Sequence, residues 1–246
     1  MFNAWLEALE ARHLADLRVQ EVTRALRALS ARYVARRSGD VQRSLDTKGK
    51  RAAFALYYAP LHFLATDLIV RALGAHAPPP RSILDIGCGT GAAGAAWALA
   101  AGSTPQVTGM DRHPWSVAEA RWTYAALGLD GRARQSDVTR LPAQRGGSAI
   151  LAAYVLNELT DKARTAMEAA LVEAAGQRAR VLIIEPISRS VSPWWDAMAS
   201  RLAKIGGRAD EWRFPVELPP LLRLLDRAAG LDHRELTARS IYIPEA

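Results

Sequence analysis

Three glycines and two acidic residues in the first half of the chain carry the clearest chemical signal. A short apolar run, residues 82–86, leads into the pattern Asp85-x-Gly87-x-Gly89-x-Gly91. Because glycine has no Cβ, such a loop turns sharply and lets a ligand touch the main chain. A second apolar run, residues 106–110, ends in Asp111, which is placed to accept hydrogen bonds from ribose hydroxyl groups. The pattern predicts a site for a nucleotide-like molecule.

The kind of nucleotide is narrowed by what the loop lacks. It lacks the Gly-Lys-Ser/Thr ending of a phosphate-binding loop. A dinucleotide site usually has Gly-x-Gly-x-x-Gly directly after the strand, whereas here the pattern from the strand end is Asp85-x-Gly87-x-Gly89-x-Gly91. The carboxylate of Asp85 would repel a pyrophosphate and attract a cofactor with ammonium and sulfonium groups. Two simpler interpretations stay open: the glycines form an ordinary tight turn, and Asp111 is the N-cap of a helix that begins at Pro114.

The apolar runs that hold this loop predict an α/β fold. From Ser82 onward, strand-length runs alternate with helical patterns, which favours a parallel sheet with helices on both faces. Strands are predicted near residues 82–86, 106–110, 131–135, 148–153 and 180–185, and helices near 92–101, 114–127, 161–176 and 193–205. Residues 212–218 are predicted as a strand or a loop, 219–230 as a helix and 234–243 as a strand.

The N-terminal part has a different pattern. Helices are predicted over residues 2–37 and 52–73, because apolar residues recur there at spacings near three and four. Three prolines, residues 78–80, then form a stiff entry to the first strand. We therefore expect two parts: residues 1–80, a helical and basic cap, and residues 81–246, the cofactor-binding domain.

In these residues the chain resembles the class I S-adenosylmethionine-dependent methyltransferases. The resemblance implies a Rossmann-like class I methyltransferase sheet, doubly wound and mostly parallel, with the N-terminal helical cap added to it. It also implies that S-adenosylmethionine is the cofactor, bound by Asp85, Gly87, Cys88, Gly89, Gly91, Asp111, Arg112, Asp137 and Val138. Cys88, the one cysteine of the chain, is expected to be a small loop residue that contributes a backbone N–H.

A polar segment follows the fourth predicted strand. Residues 154–159, Tyr-Val-Leu-Asn-Glu-Leu, leave the edge of the sheet where parallel sheets bind ligands. In the class I family this position faces the transferable methyl group, so the resemblance implies catalytic roles for Tyr154, Asn157 and Glu158. Asn157 would orient the acceptor and Glu158 would accept a proton. The alternative left open is that the pair only shapes the loop and caps the helix that starts near Thr160.

A closer resemblance is to the ribosomal small-subunit assembly methyltransferase-like proteins of mitochondria and many bacteria. It rests on residues 27–33, 55–60, 154–159 and 182–186. It implies a partner in small-subunit ribosomal RNA or the ribosome. Members of that family often have a cysteine set that holds an iron–sulfur cluster or a metal. With Cys88 alone, four thiolates cannot be assembled within this chain, and no metal is predicted.

The positive charge of the chain is concentrated in one segment. The net charge is +7, and residues 24–51 hold nine basic residues against two acidic ones, a surplus of seven that leaves the rest neutral. Such a patch predicts contact with RNA, through Arg32, Arg36, Arg37, Arg43, Lys48, Lys50 and Arg51. The alternative is a solvated, arginine-rich helix face.

The remaining expectations concern partners and function. No uncharged apolar run reaches about eighteen residues, so no membrane partner and a cytoplasmic location are expected. Tyr57 and Tyr58 would stack on a base or lie in the core, and His62 is assigned a structural role. The sequence favours an RNA methyltransferase. A ribosome-assembly factor without activity and a small-molecule methyltransferase stay open as alternatives.

Overall fold

A seven-stranded sheet lies at the centre of the structure, a computed structural model that describes residues 1–35, 45–137 and 141–245 and, of residues 31–35, the backbone only. The strands are β1 (Ser82–Ile86), β2 (Gln106–Asp111), β3 (Gly131–Gln135), β4 (Ser148–Ala153), β5 (Arg180–Glu185), β6 (Arg208–Pro215) and β7 (Glu235–Ile243). The helices are α1 (Phe2–His13), α2 (Val19–Ala35), α3 (Lys48–Ala53), α4 (Ala59–Ala72), α5 (Ala92–Ala100), α6 (Pro114–Ala126), α7 (Asp161–Gly176), α8 (Trp195–Ala203) and α9 (Pro220–Ala228). A π-helical turn, Phe54–Tyr58, joins α3 to α4.

The strand order is β3-β2-β1-β4-β5-β7-β6. Strands β1 to β5 are parallel, whereas β7 runs antiparallel to both β5 and β6. This confirms the predicted doubly wound, mostly parallel sheet. The sequence predicted a strand or a loop over residues 212–218, whereas β6 begins earlier, at Arg208. It lies beyond β7, at the edge of the sheet opposite β3.

The register of the strands brings their C-terminal ends to one edge. Ile86 of β1 is paired with Met110 of β2 on one side and with Ala152 of β4 on the other. The residues that follow these strands therefore meet at the edge where open parallel sheets bind ligands. This edge holds the candidate site.

Apolar layers cover both faces of the sheet. On one face Ile83 packs with Trp97 of α5 and with cap residues such as Leu9 and Leu29, all nearly inaccessible to solvent. On the other face the core includes Leu171 of α7 and residues of α8. The described part of the cap thus shares its core with the sheet.

The N-terminal helical stretch is interrupted. The prediction of one helix over residues 2–37 was wrong, because the chain bends between α1 and α2. The break coincides with a helix start: the side chain of Glu21 accepts the backbone N–H of Arg18 at 2.8 Å, half of a capping box. The predicted apolar stripe is nevertheless buried, as Leu6 and Leu26 illustrate.

Helix α1 is fixed to α6 through a buried carboxylate. Glu119, 1% exposed, accepts from Arg12 Nε at 3.0 Å and lies 2.8 Å from His13 Nε2. An ionised group at this depth needs such partners. These bonds hold the outermost cap helix against the cofactor-binding domain.

The helical segment from Lys48 to Ala72 is the central helix of the cap. By length and composition alone it could cross a membrane: an 18-residue window within it has a mean hydropathy of 1.4, yet 61% of that window is buried inside the protein. Tyr57 lies in its interior face, 1% exposed, which places this side chain in the core. The helix is accounted for by packing, and the expected absence of a membrane partner stays a prediction.

Candidate cofactor and acceptor site

The glycine loop adopts backbone conformations that favour glycine. Gly87, Gly89 and Gly91 have φ angles of +63°, +52° and +79°. A Cβ on Gly87 would lie 2.3 Å from Cγ2 of Val155, and one on Gly91 would lie 2.8 Å from the ring of Tyr124. The loop is therefore a cradle of bare main chain, packed from below by side chains of other elements.

Asp85 lies beneath this loop. It is 1% exposed, and its Oδ2 accepts the backbone N–H of Gly94 at 3.0 Å in the first turn of α5. Burial raises the pKa of Asp85 to about 7; the bond from Gly94 opposes the rise and the charge of Asp111 adds to it. The carboxyl group thus secures the junction of loop and helix and acts on a ligand through its charge. Direct contact with a cofactor stays a prediction.

Asp111 binds the glycine loop to the second and third strands. Its Oδ2 accepts the N–H of Gly89 at 2.9 Å and its Oδ1 accepts the N–H of His113 at 2.7 Å, while its backbone carbonyl accepts from Ser136 at 3.0 Å. The N-cap of α6 is His113, so the alternative that Asp111 caps this helix was wrong. Burial raises the pKa of Asp111. Each carboxylate oxygen keeps a lone pair for a further donor.

The other predicted cofactor residues occupy the same edge. Arg112 is exposed, and its carbonyl accepts from Gln135 Nε2 at 3.0 Å, which ties the turns after β2 and β3 together. Asp137 is exposed just beyond β3. Val138 lies outside the described residues. The structure thus brings the turns after three strands together as the sequence predicted.

Cys88 serves the loop in a different way from the one expected. Its backbone N–H donates to the carbonyl of Met110 at 3.0 Å, so it is not available to a ligand as predicted. The thiol is buried beside Gly109, and burial raises its pKa well above the ordinary value. A protonated, enclosed thiol is an inert packing group.

On the acceptor side, Tyr154 has a strained backbone. Its φ is +58°, a conformation that costs a bulky residue about 1 kcal/mol or more. The N–H donates to the carbonyl of Ile184 at 2.8 Å, and the ring stacks on His62 with centroids 4.0 Å apart and planes at 15°. Burial raises the pKa of Tyr154, so the phenol stays protonated near neutral pH.

Four rings form a continuous surface, which we call the aromatic wall: Phe54, Tyr58, His62 and Tyr154. Phe54 contacts His62 edge to face at 6.4 Å and lies 5.9 Å from Tyr58, centroid to centroid. The Phe54 ring is also 3.5 Å from the point where a Cβ on Gly89 would stand. The wall therefore extends from the glycine loop to the loop after β4.

His62 is the functional candidate that sequence reasoning missed. Burial lowers the pKa of His62 to about 4, so its imidazole is neutral near pH 7 and able to accept a proton. The spacing of Phe54, Tyr58 and His62, each four residues apart, was an available signal, since such residues lie on one face of a helix.

A buried glutamate supports the loop that carries the predicted catalytic residues. Glu185, at the end of β5, is fully buried, and its Oε1 accepts the N–H groups of Leu156 at 2.8 Å and Asn157 at 3.2 Å. Burial raises the pKa of Glu185 to about 8, and the bonds from Asn157 and Leu156 oppose the rise. This residue was not predicted as part of the site, and it positions Asn157 from behind.

Glu158 lies close enough to Asp111, the acid predicted to bind the ribose, for the two carboxyl groups to interact electrostatically. Burial raises the pKa of Glu158 to about 8, with a further rise from Asp111 and a decrease from Arg112. The N-cap of α7 is Thr160, whose Oγ1 accepts from Ala163, so Glu158 is not the cap of that helix. Near neutral pH its carboxyl group is mostly protonated and able to donate a hydrogen bond.

The predicted RNA-binding residues are described only in part. Arg36, Arg37 and Arg43 lie outside the described residues, and so does the side chain of Arg32. Lys48 opens α3, and Lys50 Nζ pairs with Asp46 at 2.7 Å. Arg51 donates to the carbonyl of Leu45 at 2.8 Å, and its guanidinium lies 5.9 Å from the ring centre of Trp115 in α6. This end of the basic segment borders the cofactor side.

The residues present fit the implied cofactor. The main-chain cradle leaves no side chain on three of its positions, and Asp111 retains acceptor capacity. Asp85 lies beneath the loop, where its ionised carboxylate would attract a positively charged ligand. Within residues 1–35, 45–137 and 141–245, no group of three or more His, Cys, Asp or Glu side chains is arranged to hold a metal.

Comparison with known proteins gives consistent matches. Residues 83–176, from β1 through α7, match a family model described as "Methyltransferase domain". The ajmaline N-methyltransferase of Rauvolfia serpentina is 28% identical over 144 residues, which is 56% of this chain and 48% of that protein. The chain therefore spans about half the length of this curated relative.

Two solved structures show the same fold. The plantazolicin methyltransferase BpumL, in complex with a pentazolic desmethylPZN analog and SAH, aligns with a TM-score of 0.56 at 12% identity, over 93% of this chain and 98% of its own. The magnesium protoporphyrin IX methyltransferase of Synechocystis PCC 6803, with bound SAM, aligns with a TM-score of 0.50 at 15% identity, over 89% and 90% of the two chains. The predicted fold and cofactor are confirmed, and the narrower resemblance to the ribosomal assembly family stays a prediction.

Proposed function

We propose that this chain is a class I S-adenosylmethionine-dependent methyltransferase, because residues 83–176 match a methyltransferase domain and the whole sheet has the fold of solved methyltransferases. It would transfer the methyl group of that cofactor to an acceptor bound against the aromatic wall. One observation carries this proposal. Asp111 binds the glycine loop on one side, and Phe54 of the aromatic wall packs against the same loop on the other. Cofactor and acceptor would then meet at one edge of the sheet.

The contribution of the chain is chiefly positioning. When bound, S-adenosylmethionine supplies a methyl group on a sulfonium, which a nucleophile takes by in-line approach. Gly87, Gly89 and Gly91 would receive the methionine part through their main chain, and Asp111 would accept the ribose hydroxyls. Holding the acceptor in line and excluding water can account for most of the acceleration.

His62 is the proton acceptor that this proposal assigns. Glu158, Glu185 and Tyr154 all have raised pKa values and stay largely protonated near pH 7. The imidazole of His62 is neutral there, with a pKa of about 4, and forms part of the wall. As the bond to the methyl group forms, the N–H or O–H of the acceptor becomes strongly acidic, so it can transfer its proton even to this weakly basic imidazole, whose protonated form burial disfavours.

We propose RNA as the acceptor, and small-subunit ribosomal RNA in particular, as the closer family resemblance implies. The concentration of the net charge of +7 in residues 24–51 supports this proposal. Arg51, the last basic residue of that segment, packs over Trp115 beside the cofactor side. A strand held by this segment would therefore lie next to the reacting groups. A cytoplasmic location accompanies this proposal.

A small aromatic molecule is the second candidate. The four rings of the aromatic wall are uncharged near neutral pH and suit a flat, apolar acceptor. The relative from Rauvolfia serpentina is named for N-methylation of ajmaline. This observation is independent of the basic segment, so the two candidates can be tested apart.

The first experiment measures binding of S-adenosylmethionine by isothermal titration. Asp111→Asn removes charge-assisted hydrogen bonds worth about 1.5–3 kcal/mol, so its Kd is expected to be about 10- to 150-fold weaker than that of the wild type. Asp67→Asn, which removes an exposed carboxylate paired with Arg71, is the matched control and should bind as the wild type does. Absence of binding to the wild-type protein would refute the proposed function.

The second experiment identifies the acceptor. Tritiated cofactor is incubated with the protein and with either total RNA or a small-molecule extract, both from cells that lack the protein. Label in RNA supports the first candidate, and label only in the extract supports the second. Label in neither fraction, despite cofactor binding, would indicate an assembly factor without activity.

The third experiment tests the proton acceptor. His62→Ala is expected to lower kcat about 100-fold or more with an unchanged Kd for S-adenosylmethionine. His76→Ala is the control, because His76 follows the end of α4, is not a ring of the aromatic wall, and has its Nδ1 3.5 Å from the carbonyl of Val70. Equal kcat values for the two variants would exclude the assigned role.

A further inference from the structure

A cavity lies on the outer strands of the sheet, and none of the rings of the aromatic wall lines it. Its volume is about 490 Å³, within the range of small-ligand pockets. We call it the β3 groove, and its lining residues are Gln106, Thr108, Arg121, Arg132, Ala133 and Arg134. The predicted cofactor site does not use these side chains.

The sheet geometry explains why arginines gather in this groove. Strand β3 is the edge strand, and alternation places Arg132 and Arg134 on one face while Ala133 points into the core of the other. Thr108 of β2 is the registered neighbour of Arg132. Arg121 reaches around the edge from α6 and donates to the carbonyl of Ala133 at 2.8 Å. Three guanidinium groups thus line one cavity.

The arginines of the groove have few polar partners among the described residues. In the part of the chain that the structure describes, neither Arg121, Arg132 nor Arg134 forms an ion pair; Arg134 contacts Met110 Sδ at 3.6 Å. Asp130, just before β3, accepts from Gln106 Nε2 at 3.0 Å. Charged residues on an edge strand can simply prevent pairing with another strand, a role that needs no cavity. Here, however, charged and neutral hydrogen-bond donors line one cavity together.

We propose that the β3 groove binds phosphate groups of an RNA strand. One guanidinium group can donate two parallel hydrogen bonds to two oxygens of a phosphate. The Thr108 hydroxyl and the Gln106 amide are further donors in the groove. Strand β3 runs from the groove to Ser136, whose N–H donates to the carbonyl of Asp111. An RNA strand bound in the groove would therefore extend toward the edge of the sheet that holds the predicted cofactor site. This inference rests on the proposed RNA acceptor.

The test is the double variant Arg132→Gln/Arg134→Gln in the full chain. Binding of a fluorescent single-stranded RNA is measured by anisotropy over a range of salt concentrations. Each lost phosphate contact reduces the salt slope by about 0.7, so two contacts reduce it by about 1.4 and weaken binding about 25-fold at 0.1 M salt. The variant should keep the wild-type Kd for S-adenosylmethionine, since both arginines are exposed.

The control is Arg145→Gln/Arg227→Gln. Both arginines are exposed and lie outside the groove, and their substitution removes the same net charge as the groove variant. Weaker binding in the groove variant only supports the proposal, and equal weakening in both variants overturns it, because a diffuse charge effect would then suffice. Free phosphate is the other possible source of the same chemistry. Saturable binding of inorganic phosphate that is lost in the groove variant, with RNA binding unchanged, would also overturn the proposal.

Failure of this inference can be told from failure of the proposed function. If the wild-type protein labels RNA and the groove variant binds and labels it equally well, the inference is wrong and the RNA acceptor stands. If the groove variant loses RNA binding but the wild type labels no RNA, the groove stands and the acceptor assignment is wrong.

Discussion

The bare backbone of the glycine loop can be tested with Gly87→Ala. The left-handed conformation at this position costs an alanine about 1–2 kcal/mol. The new Cβ would also stand 2.3 Å from Cγ2 of Val155, and crowding of a packed core adds about 1–3 kcal/mol. The free energy of unfolding should therefore fall by about 2–5 kcal/mol, which lowers Tm by roughly 4–20 °C in a chain of this size.

Two further variants isolate the crowding. In Gly89→Ala the φ angle is also positive, but the new Cβ would lie an ordinary 3.5 Å from the Phe54 ring, so only the conformational cost of about 1–2 kcal/mol is expected. Combining Gly87→Ala with Val155→Ala should recover about 1–3 kcal/mol as coupling energy. Urea unfolding measures all of these values. Equal losses for the two glycine variants, with no coupling to Val155, would refute the packing argument.

Two other predictions concern buried carboxyl groups. The pKa of Glu185 is raised to about 8 in the folded protein, so the folded state holds a proton that the unfolded state releases near pH 4, and this residue destabilises the fold as pH rises between these values. Glu185→Gln should make the decline in unfolding free energy shallower by about 1.4 kcal/mol per pH unit within that interval, measured by urea unfolding at pH 5, 6 and 7; an unchanged slope would contradict it. Glu119→Gln weakens the contact with Arg12 and should lower the free energy of unfolding by about 1–3 kcal/mol. Asp67→Asn, which removes the charge of a more exposed pair, should lower it by less than about 0.5 kcal/mol. Equal losses would show that α1 is not held through Glu119.

The strands that carry the site could be predicted almost residue by residue. Strands β1, β4 and β5 have the predicted bounds because buried parallel strands are short apolar runs between clear turn residues. Strand β3 is mostly exposed, and its correct bounds came from the family resemblance. The break between α1 and α2 could not be predicted, since Arg18 is an unusual N-cap and its partner Glu21 resembles any surface glutamate. The place of β7 between β5 and β6 depends on pairing over long sequence separations, which local patterns do not contain.

The cofactor side of the site was likewise more predictable than the acceptor side. Gly87 and Asp111 act through their own backbone or side chain within a short segment, so residue type and spacing suffice. His62 and Glu185 matter through contacts with Tyr154 and Asn157, about 90 and 30 positions away in the chain. Such tertiary pairs have no local signature. Neither neutral imidazole nor protonated carboxyl can be recognised without knowledge of burial.

The π-helical turn Phe54–Tyr58 has a consequence for how the cap can diverge. A turn of this kind contains one residue more than a regular helical turn, so it rotates α4 by about 100° relative to α3. Because of this rotation, α3 and α4 present side chains in two different directions. Gly49 of α3 packs closely on Ala25 of α2, while His62 of α4 stacks on Tyr154. Deleting a single residue here would restore regular winding and swing one of these contacts out of place. The placement of the aromatic wall relative to α2 can therefore change through chain length at one point, with every side chain of the wall retained.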